Sequence, residues 1–339
     1  MDLNIIWFLL VAVLIIGYAI LDGFDLGVGV IHLFTKDEHE RRINMNAIGP
    51  VWDGNEVWLL TGGGALFAAF PIVYATVFSG FYLALMLLLF ALIFRAVSME
   101  FRGKVDDPKW RHFWDWAFGI GSLLPSILFG VAIGNILRGI PLNSEGYYTG
   151  NFFTLLNPYA ILVGVLSLVL FTMHGSIYMA IKSEGTQRER MKKLTPKIWI
   201  AYVAVYFLVT LYSFFEANHL FASVLSNPLF WITFILLLAG ILYIPVAVNG
   251  DRFGRAFVAS SISIAAMIGL MGISIFPMLV PSSIDMAANS LTIYNASSTQ
   301  YTLQVMLIIA LIGMPLVVGY TIYIYRAFKG KVELTEESY

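Results

Sequence analysis

The chain has 339 residues, of which 59% are hydrophobic and only 12% charged, with a formal net charge of −1. A soluble protein carries about twice that share of charge, so little mass is left for a soluble domain, and nothing in the balance points to nucleic acid. Cysteine is absent, which excludes disulfides, iron–sulfur clusters and thiolate haem ligands.

Apolar runs fall near 5–34, 50–70, 74–98, 114–138, 155–181, 198–215, 229–248, 256–280 and 303–327. Each is close to the ~20 residues that cross ~30 Å of hydrocarbon as a helix, whereas a barrel would show short alternating segments. The expected class is an all-α polytopic membrane protein with nine spans. The first run is not a cleavable signal: it lacks a basic start, is too long and continues into acidic residues. Lys36, Arg41 and Arg42 follow the first run, and Arg95, Arg102, Lys104, Lys109 and Arg111 lie around the turn between the third and fourth. Lys182, Arg188, Arg190, Lys192, Lys193 and Lys197 lie between the fifth and sixth, Arg252 and Arg255 between the seventh and eighth, and Arg326, Lys329 and Lys331 follow the ninth. Nineteen of the twenty lysines and arginines therefore share one side, and Arg138 alone falls on the other. Positive charge is retained in the cytoplasm, so the N-terminus is expected outside and the C-terminus inside.

The outward segments 139–154 and 281–301 are rich in Ser, Thr, Asn, Gly and Tyr and read as ordered caps. Trp7 and Trp231 outside, and Trp110, Trp114 and Trp199 inside, sit where interface anchors belong. Pro125, Pro245, Pro277 and Pro315 are tolerated helix kinks. A weak repeat fits two four-helix bundles, 1–138 and 155–280, with a ninth helix over 303–327 and a cytoplasmic tail over 328–339.

The chemically informative residues are acids inside the spans. Asp22 and Asp25 lie in the inner half of the first, and Asp53 and Glu56 in the first turns of the second. Each pair has i,i+3 spacing and so shares a helix face. Antiparallel packing across the short connecting loop puts both pairs at similar depth. Glu100 adds an acid at the inner end of the third span, five residues after Arg95. A mid-bilayer acid facing lipid costs roughly 2.5–3.5 kcal/mol or more, so these groups are expected to face a polar interior or a partner. They suit a water-linked proton path opening to the cytoplasm. Asp53 and Glu56 equally suit capping of a helix N-terminus, and Asp22 and Asp25 suit pairing with Arg95. The glycines around the acids, Gly23, Gly27 and Gly29 and then Gly54, Gly62, Gly63 and Gly64, read as helix-packing positions.

Of five histidines, His39 and His219 fall in loops, His32 and His112 near the inner interface, and only His174 well inside a span. No two form a facing pair at matching depth, so His174 reads as a hydrogen-bonded packing residue and no haem is expected in this chain. An apolar groove for a lipid-soluble quinone stays open. The same buried acids would also serve a proton-coupled transporter as its coupling site.

The run from Gly17 to Gly29 (GYAILDGFDLGVG) resembles a signature of subunit II of cytochrome bd-type quinol oxidases. So do the runs from Gly49 to Leu59 (GPVWDGNEVWL) and from Gly62 to Pro71 (GGGALFAAFP). Trp114-Asp115-Trp116, the run from Gly150 to Pro158 (GNFFTLLNP), Phe276-Pro277 and Pro281-Ser282-Ser283 extend the resemblance over nearly the whole chain. It implies two four-helix bundles and a peripheral helix, a prokaryotic cell membrane, and a heterodimer with a subunit I that holds haems b and d. One or more single-span small subunits, and a structural quinone in some members, are also implied. The complex would reduce dioxygen to water with electrons from quinol and protons from the cytoplasm, and this chain alone would be inactive. By position, the resemblance puts Asp53 on a proton route at the subunit interface and Glu100 near its entry. Asp22 and Asp25 match the family's first-span acid pair.

Overall fold

Capping side chains and breaker residues divide this apolar sequence into helices. The computed structural model describes residues 2–222 and 224–334; the end of the expected tail, 335–339, lies outside the described residues. In chain order the α-helices are α1 Leu3–Leu33, α2 Glu38–Ile48, α3 Trp52–Ala69, α4 Pro71–Gly80, α5 Tyr82–Phe101 and α6 Pro108–Arg138. They continue with α7 Pro158–Lys182, α8 Gly185–Glu216, α9 Pro228–Asn249, α10 Phe253–Ile275, α11 Met286–Asn289 and α12 Gln300–Ala327. Asp2, Asp37, Asp107, Asn157, Asn227 and Thr299 each accept a first-turn N–H through the side chain. Prolines open α6, α7 and α9, where the missing N–H costs nothing. Eight helices, α1, α5 to α10 and α12, are long and apolar enough to cross a membrane. The chain is a multi-pass, all-α membrane protein.

Several boundaries differ from the sequence reading, each for a local reason. The loop near 35–49 is the helix α2, capped by Asp37 onto the Glu40 N–H, which buries Ile43, Asn44, Met45, Ala47 and Ile48. The run 74–98 is divided: its first residues belong to the ten-residue α4, and the chain turns at Phe81 before α5. The run 50–70 forms the 18-residue α3, whose acids and glycines dilute its hydropathy, and it is not among the eight. The basic stretch 182–197 is helix from Gly185 onward, so α8 reaches 32 residues, about 48 Å at 1.5 Å per residue. The eighth run ends early: α10 stops at Ile275, before a cis Phe276–Pro277 bond and the strand β1 Met278–Val280, so Pro277 lies beyond the helix and does not kink it.

Helix α1 is central, packed against α3, α6, α7 and α10. Its crossing with α7 is glycine on glycine. A Cβ on Gly27 would meet the Phe171 carbonyl and the Gly175 N–H, and a Cβ on Gly175 would meet the backbone of Gly27 and Val28. The Trp58 ring of α3 lies over Gly17 of α1 in the same way, and Gly121 of α6 receives the α5 backbone at Ala91 and Arg95. These approaches fix how closely α3 and α5 present their side chains to α1.

The two ends of the molecule are closed differently. At the end that carries segments 139–154 and 281–301, Ile140 donates its N–H to the Pro281 carbonyl (3.0 Å), Ser283 donates to Ile140 (2.9 Å) and Ser298 to Ala69 (2.8 Å). The strand β1 pairs antiparallel with β2 Leu291–Thr292, so these segments form ordered caps joined to each other. At the opposite end, Asp115 of α6 gathers charges from α1, α2 and the turn after α5. It meets His32 Nε2 (2.7 Å), Arg41 Nη1 (2.7 Å) and Arg102 Nε (2.6 Å), while Arg102 also pairs Glu38 (2.8 Å). Arg190 of α8 pairs Glu40 of α2. Arg188 and Lys192 pair Asp251 in the turn between α9 and α10, and the Lys192 hydrogen bond first, then Arg188, hold its carboxyl below the usual carboxylate range.

Candidate functional site

Where α1, α3 and α5 meet, three of the five expected acids converge on one guanidinium. Asp22 and Asp25 are wholly buried on one face of α1, and Arg95 of α5 is equally buried. Arg95 makes a two-pronged bond to Asp22, Nη2 to Oδ1 at 2.7 Å and Nη1 to Oδ2 at 3.1 Å. Its Nη1 also donates to Glu56 Oε1 of α3 at 2.9 Å, and Asp25 Oδ2 stands 4.0 Å from Nη2. Asn55, next to Glu56 in the chain, donates from Nδ2 to Asp25 Oδ2 at 2.7 Å and to the Leu21 carbonyl at 3.1 Å. The cluster is not fully satisfied: Asp25 Oδ1 and Arg95 Nε are buried with no hydrogen-bond partner among the described residues. Three carboxyl groups face one cation, so neutrality requires up to two protons. Glu56 keeps a partly open side chain, 23% exposed.

Asp53 and Glu100 are not in this cluster. Asp53 lies one turn before Glu56 on α3 and is exposed on the surface of this chain, as is Glu100 at the C-terminal end of α5. Asp53 sits in the first turn of α3, but no side chain caps that helix, whose N-cap residue is Val51. On the same exposed stripe of α3, a Cβ on Gly54 or Gly64 would meet nothing within 4 Å. The pairing of Asp22 with Arg95 is the alternative the sequence had offered for it, and it coexists with room for a proton.

The sequence reading passed over Asp115 as a group with a role of its own. Its partners come from positions 32, 41 and 102, too scattered for spacing to reveal. The available signal was an acid between two interface tryptophans, Trp114 and Trp116. His174 is the buried packing residue expected: Nδ1 bonds Ser260 Oγ at 2.6 Å, Nε2 bonds the Ile20 carbonyl at 3.1 Å, and the ring stacks on Phe257. His32 is committed to Asp115 through Nε2. Neither histidine lines the large apolar cavity of about 1030 Å³ that runs between the helices, and no group of three or more His, Asp or Glu among the described residues could hold a metal ion. Both ring nitrogens of His174, and Nε2 of His32, are thus already engaged within the protein.

The family model described as cytochrome bd terminal oxidase subunit II matches residues 3–328. This chain belongs to that family. It is 39% identical to the cytochrome bd-I ubiquinol oxidase subunit 2 of Escherichia coli K12, over 97% of this chain and 95% of that one. It is 38% identical to the cytochrome bd ubiquinol oxidase subunit 2 of Bacillus subtilis 168, over 99% and 98%. The fold matches a chain from the structure of bd oxidase from Geobacillus thermodenitrificans with a TM-score of 0.80, covering 97% of this chain and 99% of that chain at 18% identity. As a subunit II of the bd family, the chain is part of a quinol-oxidising oxidoreductase complex with a subunit I partner, and the transporter reading is displaced.

Proposed function

We propose that this chain is the haem-free subunit of its oxidase and that it carries part of the route by which cytoplasmic protons reach the site of dioxygen reduction. The haems b and d belong to subunit I, and this chain supplies the assembly surface and the acids. The observation that carries this proposal is the convergence of Asp22, Asp25 and Glu56 on Arg95, with Asp53 one turn away on the exposed stripe of α3. A carboxyl group that is exposed on one subunit, yet lies inside the membrane, needs a polar neighbour. The open glycines beside it leave room for a partner helix to approach closely. In this scheme Glu100 receives protons near the cytoplasm, Asp53 passes them along the seam, and Glu56, Asp25 and Asp22 form a buried store whose charge Arg95 limits.

The full architecture in this proposal has nine crossings, with α3 joining the eight longer helices. Two four-helix bundles, 1–138 and 155–280, are followed by the peripheral span 303–327, with the N-terminus outside and the tail 328–339 inside a prokaryotic inner membrane. A single-span small subunit completes the complex. A quinone with a structural role fits the 1030 Å³ cavity, whose apolar wall includes Tyr18, Trp58, Phe129, Tyr206, Phe234 and Met267. Those side chains would hold an isoprenoid tail by dispersion contact, and the quinone supplies redox chemistry only where electrons can reach it.

Asp53→Asn is the decisive variant. In the assembled complex it is expected to slow quinol oxidation about a hundredfold or more, on the scale of a lost proton-transfer group, while the haem absorption spectrum stays that of wild type. Full turnover in Asp53→Asn would remove the proton role, and failure to assemble would make packing the better account.

A further inference from the structure

Helix α12 is attached to the rest of the chain in an unusual way. No residue in its most apolar eighteen-residue stretch is buried, so apolar packing hardly holds its inner half. At its inner end, however, Tyr325 turns back toward the carboxyl cluster. Its hydroxyl lies 3.0 Å from Asn55 Oδ1, and its ring meets Phe24 of α1 edge-on at 6.5 Å. The direction of this bond is fixed by chemistry. The Leu21 carbonyl can only accept, so the Asn55 amide nitrogen must face α1. That leaves Oδ1 facing Tyr325, and the tyrosine must donate. The result is an ordered chain, Tyr325 O–H to Asn55 Oδ1 and Asn55 N–H to Asp25 Oδ2.

We propose that Tyr325 is a positioning residue for Asp25, holding the Asn55 carboxamide so that the seating of α12 sets the geometry of the buried acid. This rests on the proton-path proposal for the effect on turnover, but not for the effect on Asp25 itself. The ionisable groups around Asp25 are Asp22 on its own helix, Glu56 on α3, Arg95 on α5, Tyr178 on α7 and Tyr325 on α12. Of these, Tyr325 alone acts through Asn55. Without its donor, Asn55 Oδ1 loses its partner while Nδ2 keeps the Leu21 carbonyl and Asp25 Oδ2, so the carboxamide is held on one side only and the length and angle of its N–H bond to Asp25 change.

The test uses the whole detergent-solubilised oxidase. Tyr325→Phe is compared with Tyr323→Phe, whose side chain lies on the exposed face of the same helix. Two readouts are taken. One is the infrared band that disappears in Asp25→Asn, and the other is the dependence of turnover on pH. Tyr325→Phe is expected to move the Asp25 band, displace the pH profile and lower turnover about threefold or more, the scale of one hydrogen bond. Tyr323→Phe should change none of these. Incorporation of 3-fluorotyrosine at position 325, a stronger donor of nearly the same volume, should move the band in the opposite direction and serves if the phenylalanine variant does not assemble. An Asp25 band that stays in place in both variants overturns the proposal. Should the band move while Asp25→Asn itself runs at the wild-type rate, the positioning role stands and the proton path fails.

Discussion

At the scale of single residues, Arg95 has the largest energetic consequence. A buried cation among three carboxyl groups is costly to desolvate, but removing it alone costs more, because the acids are left without a counter-charge. Arg95→Leu is therefore expected to destabilise the fold by about 3–5 kcal/mol. It would be seen as loss of assembled, haem-coloured complex on size-exclusion chromatography, whereas Asp22→Asn should still assemble. Equal yields from the two would show that the guanidinium does not organise the site. The shared face of Asp22 and Asp25 was legible in the sequence, because helical periodicity puts an i,i+3 pair on one side. The separation of Asp53 from Glu56 was not legible. Both lie on α3, yet one turns toward Arg95 and the other outward, and only the position of α1 decides which. Asp115 was hidden for the opposite reason, since its partners are set by tertiary contacts at the inner rim.

At the scale of elements, glycine decides the close crossings. Gly27 and Gly175 bring α1 and α7 into backbone contact. Gly27→Ala is expected to cost about 1–3 kcal/mol through overpacking, lowering the melting temperature of the purified complex. Gly64→Ala meets nothing among the described residues of this chain, so under the proposed seam with subunit I it is expected to weaken association, read as dissociation on dilution without a shift in the fold of either part. From sequence, both glycines looked alike; what separates them is which face of its helix each occupies. The apolar runs gave the helices, but their ends followed caps and breakers. Asp37 and Glu40 carried the signal for α2, which its charge-rich composition obscured. The turn at Phe81 is marked only by Ser79-Gly80, a weak signal inside an otherwise unbroken apolar run.

At the scale of the whole molecule, charge asymmetry predicts an orientation, and the lack of cysteine makes it measurable. In a chain with no thiol, a single introduced cysteine reports its own side. Ser283→Cys, in the outer cap, should react with an impermeant maleimide in intact cells, and Lys193→Cys should react only after the membrane is opened. The reverse pattern would invert the topology. The bundle arrangement could not be read this way, because apolar spans resemble one another and their neighbours are chosen by glycine contacts and buried polar groups.

The rim formed by segments 139–154 and 281–301 is laced by amide-to-carbonyl bonds between distant segments. The opposite rim is held by paired side-chain charges, of which those around Asp115 are buried while Arg188 and Lys192 meet Asp251 in the open. Dissolved ions screen the open pairs, reach the buried ones much less and barely touch the amide bonds. Brine would therefore loosen the fastening of α8 to the turn between α9 and α10 first while the far end stays shut, so that the bundle opens like a bag gathered at one mouth.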